Sequence, residues 1–215
     1  MLVLRSSAPS PFGRKVKIAA SVLGLSDQIK IEDANTADPA DSLRGQNPLG
    51  KIPALVLENG DVLYDSRVIV EYLDHLAGGG KILPLGEARF PVLRLQALAN
   101  GLMDAGILQV YEKRFRPEDK RFDDWLSYQA AKVERGLTYL EENVPQAVAS
   151  EADLDAGTIA LACALGYLDL RFAGEWRTNY PNLASWVDGV EANVPVFAKT
   201  KQPATPVTGD PAPLR

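Results

Sequence analysis

The hydrophobic rhythm of this chain changes once, near Pro84. Before that point short apolar runs alternate with stretches of helical spacing; after it only helical spacing is left. Such a change predicts an α/β unit followed by an all-α unit, because each pattern must bury its apolar face against a different kind of layer. Residues 2–4 read as a strand, and Val16, Ala19, Ala20 and Leu23 fall on one face of a helix that Gly24 ends. A second strand follows at residues 29–31, then a short polar helix or turn over 37–45 closed by Asn47-Pro48. Two further apolar runs, 54–57 and 62–64, flank Asn59-Gly60, a dipeptide suited to a tight hairpin because both residues tolerate positive φ. Ile69, Tyr72, Leu73 and Leu76 then mark a helix stopped by Gly78-Gly79-Gly80, giving the order βαβαββα.

The second unit opens with one long helix over residues 88–115, through Val92, Leu95, Leu98, Leu102 and Ile107, and Pro117 ends it. Trp125, Tyr128, Val133, Leu137 and Leu140 give the next helix. Residues 159–170 are apolar nearly all round, which predicts a buried central helix with Cys163 as a small core residue. Residues 181–194, with Trp186, form the last expected helix, and the prolines at 203, 206, 211 and 213 make the end a poor folder. The expected organisation is a first domain over 1–78, a linker near 77–86, a helical domain over 86–202 and a Pro-rich tail over 203–215.

Composition narrows the function. At 215 residues with 46% hydrophobic and 24% charged residues, the chain has enough apolar mass for one large core or two small ones. A net charge of -5 and a pI near 5.0 give no electrostatic footprint for nucleic acid or an anionic membrane. One cysteine and one histidine, Cys163 and His75, leave no disulfide, no Cys-x-x-Cys pair and no structural zinc set. No run reaches the roughly 20 apolar residues of a membrane span, and the first residues lack the long apolar stretch of a secretory leader. A reducing, cytoplasmic setting without metal is the expectation.

Chemistry concentrates in three short segments. Ser10-Pro11-Phe12 reads as a helix start, with serine as N-cap and proline in the first turn. The same geometry presents free N–H groups and a positive dipole end to an anion such as a thiolate, and Ser10 adds a hydroxyl donor. A thiol of pKa roughly 8.5 must drop by about 2 units to be mostly ionised at neutral pH, a preference of about 2.7 kcal/mol. One charge-assisted hydrogen bond supplies about 1.5–3 kcal/mol and the helix end about 0.3–1 more, so no general base is needed. His75, on another helix, is read as a surface or packing residue.

Lys51-Ile52-Pro53 reads as a loop entering a strand. A cis bond before Pro53 would turn the Ile52 N–H and C=O outward, towards an extended peptide that pairs like one more strand. Lys51 beside it would meet a carboxylate or stay solvated. Asp65-Ser66-Arg67 begins another helix: the Ser66 hydroxyl and nearby N–H groups suit a carboxylate, Asp65 suits an amine, and a γ-glutamyl end offers one of each. Arg67 would brace that network or lie in solvent.

Taken together, Ser10-Pro11-Phe12, the run Asn47-Pro48-Leu49-Gly50-Lys51-Ile52-Pro53-Ala54-Leu55 and Tyr64-Asp65-Ser66-Arg67 resemble the serine-type bacterial glutathione S-transferases, and the similarity runs over nearly the whole chain. The resemblance implies a thioredoxin-like first domain and an all-helical second one, with Ser10 as the thiol-activating serine. Glutathione contacts are then expected from Phe12, Lys51, Ile52, Pro53, Asp65, Ser66 and Arg67. Residues 99–105 resemble the family's first long helix, where an aspartate of relatives approaches glutathione from the partner subunit; this makes Asp104 a candidate and implies a homodimer. Met103, Tyr111 and Trp176 are expected either to line the pocket of a small electrophilic second substrate or to pack between helices. The family's Ser/Thr-x-x-Asp cap is exchanged for Asp155-Ala156-Gly157-Thr158, which still permits capping. Serine in place of cysteine disfavours disulfide exchange. Conjugation of glutathione to an electrophile is the leading expectation. A glutathione-binding stress-response or adaptor protein without turnover, and a glutathione-dependent isomerase or dehalogenase, stay open.

Overall fold

The structure, a computed structural model, describes residues 1–202. Its first part contains β1 (Leu2–Ser6), α1 (Pro11–Val22), β2 (Ile29–Asp33), α2 (Leu43–Gln46), β3 (Ala54–Val56), β4 (Val62–Leu63) and α3 (Ser66–Leu76). Five further helices follow: α4 (Arg89–Phe115), α5 (Asp123–Glu142), α6 (Ala156–Arg171), α7 (Pro181–Asn193) and α8 (Pro195–Thr200). The expected βαβαββα order and the helical second part are both present. The Pro-rich tail expected from residue 203 onward lies outside the described residues.

The sheet runs β2-β1-β3-β4, with β1 parallel to β2 and antiparallel to β3. Its register sets Val56 against Val62 and Leu55 against Leu63. The hairpin departs from the expected tight turn in one respect: of the Asn59-Gly60 pair only Gly60 takes positive φ, at 90°. The Leu57 N–H donates to Asp61 O at 2.8 Å and the Gly60 N–H to Leu57 O at 3.0 Å, a three-residue loop closed by one left-handed glycine. The polar stretch before β3 yields only the single turn of α2. Its aspartates spend their side chains on nearby N–H groups instead of leaving them to a helix: Asp38 Oδ1 accepts from Ala40, and the Asp41 carboxylate accepts from Asn35 and Leu43. The last expected helix, 181–194, is α7, and a further short helix that was not expected follows it. α7 stops at Asn193, and Pro195, which cannot continue its hydrogen bonds, begins α8 instead.

The two units share one core. Ile18, Ile69 and Leu73 from the first part belong to the same buried cluster as Met103, Leu137, Leu161 and Phe197 from the second. The connecting segment is correspondingly fixed: Ile82 and Leu83 are buried, the Asp74 carboxylate accepts N–H bonds from Gly80, Lys81 and Ile82 at 2.8–3.0 Å, and Ile82 O accepts from Ala156 N at 2.8 Å. α6 is buried over nearly its whole circumference, including Cys163, as its composition predicts. It begins with a reciprocal capping box in which Asp155 Oδ1 accepts from Thr158 N at 2.7 Å and Thr158 Oγ1 accepts from Asp155 N at 2.9 Å. Gly157 lets α6 approach α4, since a Cβ there would lie 2.8 Å from Val92 O.

Candidate functional site

The start of α1 is built around Ser10. Its Oγ accepts the Gly13 N–H at 3.1 Å, and its carbonyl accepts from Arg14 at 2.9 Å. Pro11 carries no N–H and Gly13 has given its own to the cap, so the Phe12 N–H is the first-turn donor left for a ligand. The capping and ligand-binding uses of Ser10 are therefore compatible. The oxygen accepts from the backbone while its O–H remains free to donate outward, and the accepted bond polarises that O–H. Gly13 is also required sterically, because a Cβ there would lie 2.0 Å from the Oγ of buried Ser6.

The second segment hangs from Asn47, whose buried side chain organises the loop. Its Nδ2 donates to Lys51 O at 2.8 Å, its Oδ1 accepts from Leu49 N at 3.0 Å, and Gly50 turns the chain at φ 60°. The loop delivers half-buried Ile52 and buried Pro53 to the head of β3 through a cis Ile52-Pro53 bond, while Lys51 stays exposed. At the third segment Asp65 is the N-cap of α3, with Oδ1 accepting from Arg67 N at 2.8 Å and Oδ2 3.4 Å from Arg67 Nε. The Tyr64-Asp65 bond is also cis. Ser66 begins the helix and is 2% exposed, while Asp65 and Arg67 face solvent.

Charges from both parts of the chain converge here. Asp104 on α4 is exposed at its outer edge, yet the water its carboxyl loses to the surrounding protein raises it above the ordinary value, against the opposing pull of Arg67, Lys51 and Lys15. Lys15, on the second turn of α1, is fully buried, and its Nζ donates to Asn100 Oδ1 at 3.0 Å. Burial pushes the Lys15 ammonium down to about 8, with Cys163, Asp65 and Asp104 partly restoring it and Arg67 opposing them. Beside Ser10 a cleft of about 110 Å³ separates the start of α1 from α6; Pro9, Gly166, Tyr167 and Leu170 line it, with Lys201 and Gln202 at its edge.

Residues 9–76 match the model of the glutathione S-transferase N-terminal domain, and residues 99–189 match that of its C-terminal domain. The chain belongs to the glutathione S-transferase family. It is 34% identical over 202 residues, 93% of this chain and 98% of the relative, to the uncharacterised GST-like protein YibF of Escherichia coli. It is 39% identical to a glutathione transferase family member from Pseudomonas fluorescens, crystallised with glutathione; the match covers 94% of this chain and all of the other, with a TM-score of 0.85. That protein was also crystallised with S-(propanoic acid)-glutathione. A glutathione S-transferase from Methylobacillus flagellatus with bound glutathione is 36% identical, with the same two coverages and the same TM-score.

Within this transferase fold the expected second-substrate residues do not gather at Ser10. Met103 is fully buried in the shared core. Trp176 is 2% exposed, donates its indole N–H to Asp169 at 2.8 Å, and lines a separate cavity with Val133 and Leu137. Tyr111 is exposed in an aromatic groove with Phe115, Phe122 and Trp125, away from the Ser10 cleft. The cleft wall comes instead from α6, where Gly166 and Tyr167 lie in a stretch apolar on nearly every side and carry no directional signal. Sequence reading also passed over Arg14 and Lys15. The available signal was a lysine four residues before Ala19 on the apolar stripe of α1. Arg14 spans from α1 to α8: Nη2 donates to Phe197 O at 2.8 Å and Nε to Thr200 Oγ1 at 3.2 Å. Its guanidinium passes where Gly166 has no side chain, since a Cβ there would lie 2.5 Å from Arg14 Nη1.

Proposed function

We propose that this transferase-family protein binds glutathione along the three segments, holds its sulfur as a thiolate at Ser10, and transfers that sulfur to an electrophilic carbon of a small second substrate. The observation that carries the reading is the Ser10 oxygen in the cleft lining: it accepts from the Gly13 N–H, and among the described residues nothing accepts its O–H, which can then donate to a sulfur. The Phe12 N–H and the positive end of α1 add to the same anion. Ile52 offers its backbone to the extended peptide at the head of β3. Asp65, whose carboxylate among the described residues is shared only with Arg67 and its own helix start, has capacity for an ammonium, and Ser66 with the first N–H groups of α3 suits the neighbouring carboxylate.

The cleft beside Ser10 is small for a ligand pocket, where about 300–1,000 Å³ is usual. That favours a compact electrophile, in keeping with the S-(propanoic acid)-glutathione bound to the Pseudomonas fluorescens relative. Replacing Ser10→Ala is expected to keep glutathione affinity while raising the bound thiol pKa by about 1–2 units, read from thiolate ultraviolet absorbance. Unchanged ionisation would remove Ser10 from the mechanism. Turnover is tested separately, with a panel of small electrophiles against the uncatalysed rate and with product analysis. Glutathione bound without acceleration of any of them would overturn the transferase part of the reading.

A further inference from the structure

Lys15 is the one fully buried lysine among the described residues, and nothing in the mechanism above uses it. It is 0% exposed, and its Nζ has one hydrogen-bond acceptor, Asn100 Oδ1, although an ammonium carries three donors. Asn100 is itself 3% exposed, and its Nδ2 has no partner among the described residues. Two buried donor groups with spare hydrogens therefore lie together between α1 and α4. A methionine or leucine would fill this space without desolvating a charge.

The titratable groups that act on Lys15 are Cys163 from α6, Asp65 and Arg67 from the start of α3, and Asp104 from α4. None of them neutralises it. Burial pushes the Cys163 thiol up to about 11, so it stays protonated, and the Asp65 carboxylate is already shared with Arg67. Asp104 lies at the solvent surface. Yet Asp65 and Arg67 belong to the third segment of the proposed glutathione site, and Phe12, at the first segment, has its ring 5.9 Å from Lys15 Nζ. Along α1 the rise from Ser10 to Lys15 is only about 7 Å. The buried ammonium thus lies close behind the residues of that site, in an interior where a charge acts far more strongly than through water. At neutral pH it remains mostly protonated.

We propose that Lys15 is a positioning residue of the same reaction, a buried cation that favours the anionic form of the bound sulfur through space while Ser10 contacts it. The proposal rests on the glutathione reading above. Bound sulfur then completes an electrostatic arrangement that the free protein leaves open.

The test uses the full chain with glutathione and with S-methylglutathione, which has the same peptide but no ionisable thiol. Lys15→Met is expected to raise the bound thiol pKa by about 1 unit, a tenfold fall in the thiolate ratio, with unchanged affinity for S-methylglutathione; Lys15→Arg is expected to restore most of the shift. Because coupling between two sites is reciprocal, the Lys15 side-chain titration in the unmodified protein, followed by NMR, should move upward with glutathione and not with S-methylglutathione. That comparison decides alone if Lys15→Met does not fold. A thiol pKa in Lys15→Met equal to that of the unmodified protein, or a Lys15 titration identical with both ligands, overturns the proposal while the Ser10 reading stands. Binding of neither peptide by the unmodified protein overturns both.

Discussion

α1 and α6 pack against each other at the centre of the molecule, but they are built on opposite terms. α6 is apolar nearly all round and is closed by a reciprocal cap; among its buried residues only Thr158 is polar, and its hydroxyl is bound within that cap. α1 buries Arg14 and Lys15 beside Val16, Ile18 and Ala19, and is capped from one side only, by a serine whose hydroxyl hydrogen is left free. Burying a charge costs stability, so a helix that keeps two charges where its neighbour keeps none is serving something besides packing. The contrast separates the scaffold from the candidate site: α6 supplies the wall of the cleft, and in the proposed reading α1 supplies the chemistry.

The largest expected effect lies on the scaffold side. Gly157→Val forces a branched side chain into the contact between α6 and α4, where a Cβ would already lie 2.8 Å from Val92 O and 3.0 Å from Leu95 Cβ. Backbone cannot yield as a flexible side chain can, so the substitution is expected to cost about 3 kcal/mol. For a chain of this size that corresponds to a fall in Tm of about 10 °C, measured by calorimetry. A Tm within about 2 °C of the unmodified protein would mean that α6 is not the rigid partner described here.

The next effect runs in the opposite direction and belongs to α1. Lys15 has a pKa near 8 in the folded chain against 10.5 in its ordinary state, so the folded protein binds the proton less readily than the unfolded one. Below about pH 8 both states are protonated and the full burial cost is present; as pH rises towards 10.5 only the unfolded state keeps the proton, and stability increases. The gross cost is about 3 kcal/mol. Lys15→Met removes it but leaves Asn100 Oδ1 without its donor, a loss of about 1 kcal/mol. The variant is therefore expected to be about 2 kcal/mol more stable near pH 7, with the gain shrinking towards pH 10, in paired urea titrations at the two pH values. A gain that does not change with pH would show that the ammonium is not the source of the cost.

The same contrast explains what could be read from the sequence. Most helix boundaries, the Asp155 cap, the hairpin position and the local form of the three candidate segments all depend on local chemistry: a capping oxygen, a proline, a glycine, a short apolar run. They were legible because residues a few positions apart determine them. The burial of Lys15 depends on Asn100, 85 positions away, and that of Arg14 on Phe197 and Thr200, more distant still. Met103 and Trp176 belong to the core, away from the cleft, because interhelical packing decides which face of a helix meets which neighbour. In α6, apolar on every side, no periodicity could single out Gly166 and Tyr167 as the face towards Ser10. The end of α7 was legible ahead of Pro195, but α8 was not, because a six-residue helix carries too little periodic signal to be read.

The smallest expected change in stability gives the sharpest test of what Ser10 does. Serine and aspartate are nearly equal as N-caps, and a carboxylate gains slightly from the positive end of the helix. Ser10→Asp should therefore keep the bond to the Gly13 N–H and leave stability within about 0.5 kcal/mol, whereas Ser10→Ala loses that cap and about 1 kcal/mol with it. For a bound thiol the order reverses. Alanine removes a donor, but aspartate at neutral pH removes the donor and places a negative charge where the sulfur must carry its own. The aspartate variant should thus be the better folded of the two and have the higher thiol pKa, measured by thiolate absorbance alongside thermal melts. Were serine only a cap, Ser10→Ala would lose stability yet leave the thiol pKa unchanged, and only the charge of aspartate would raise it.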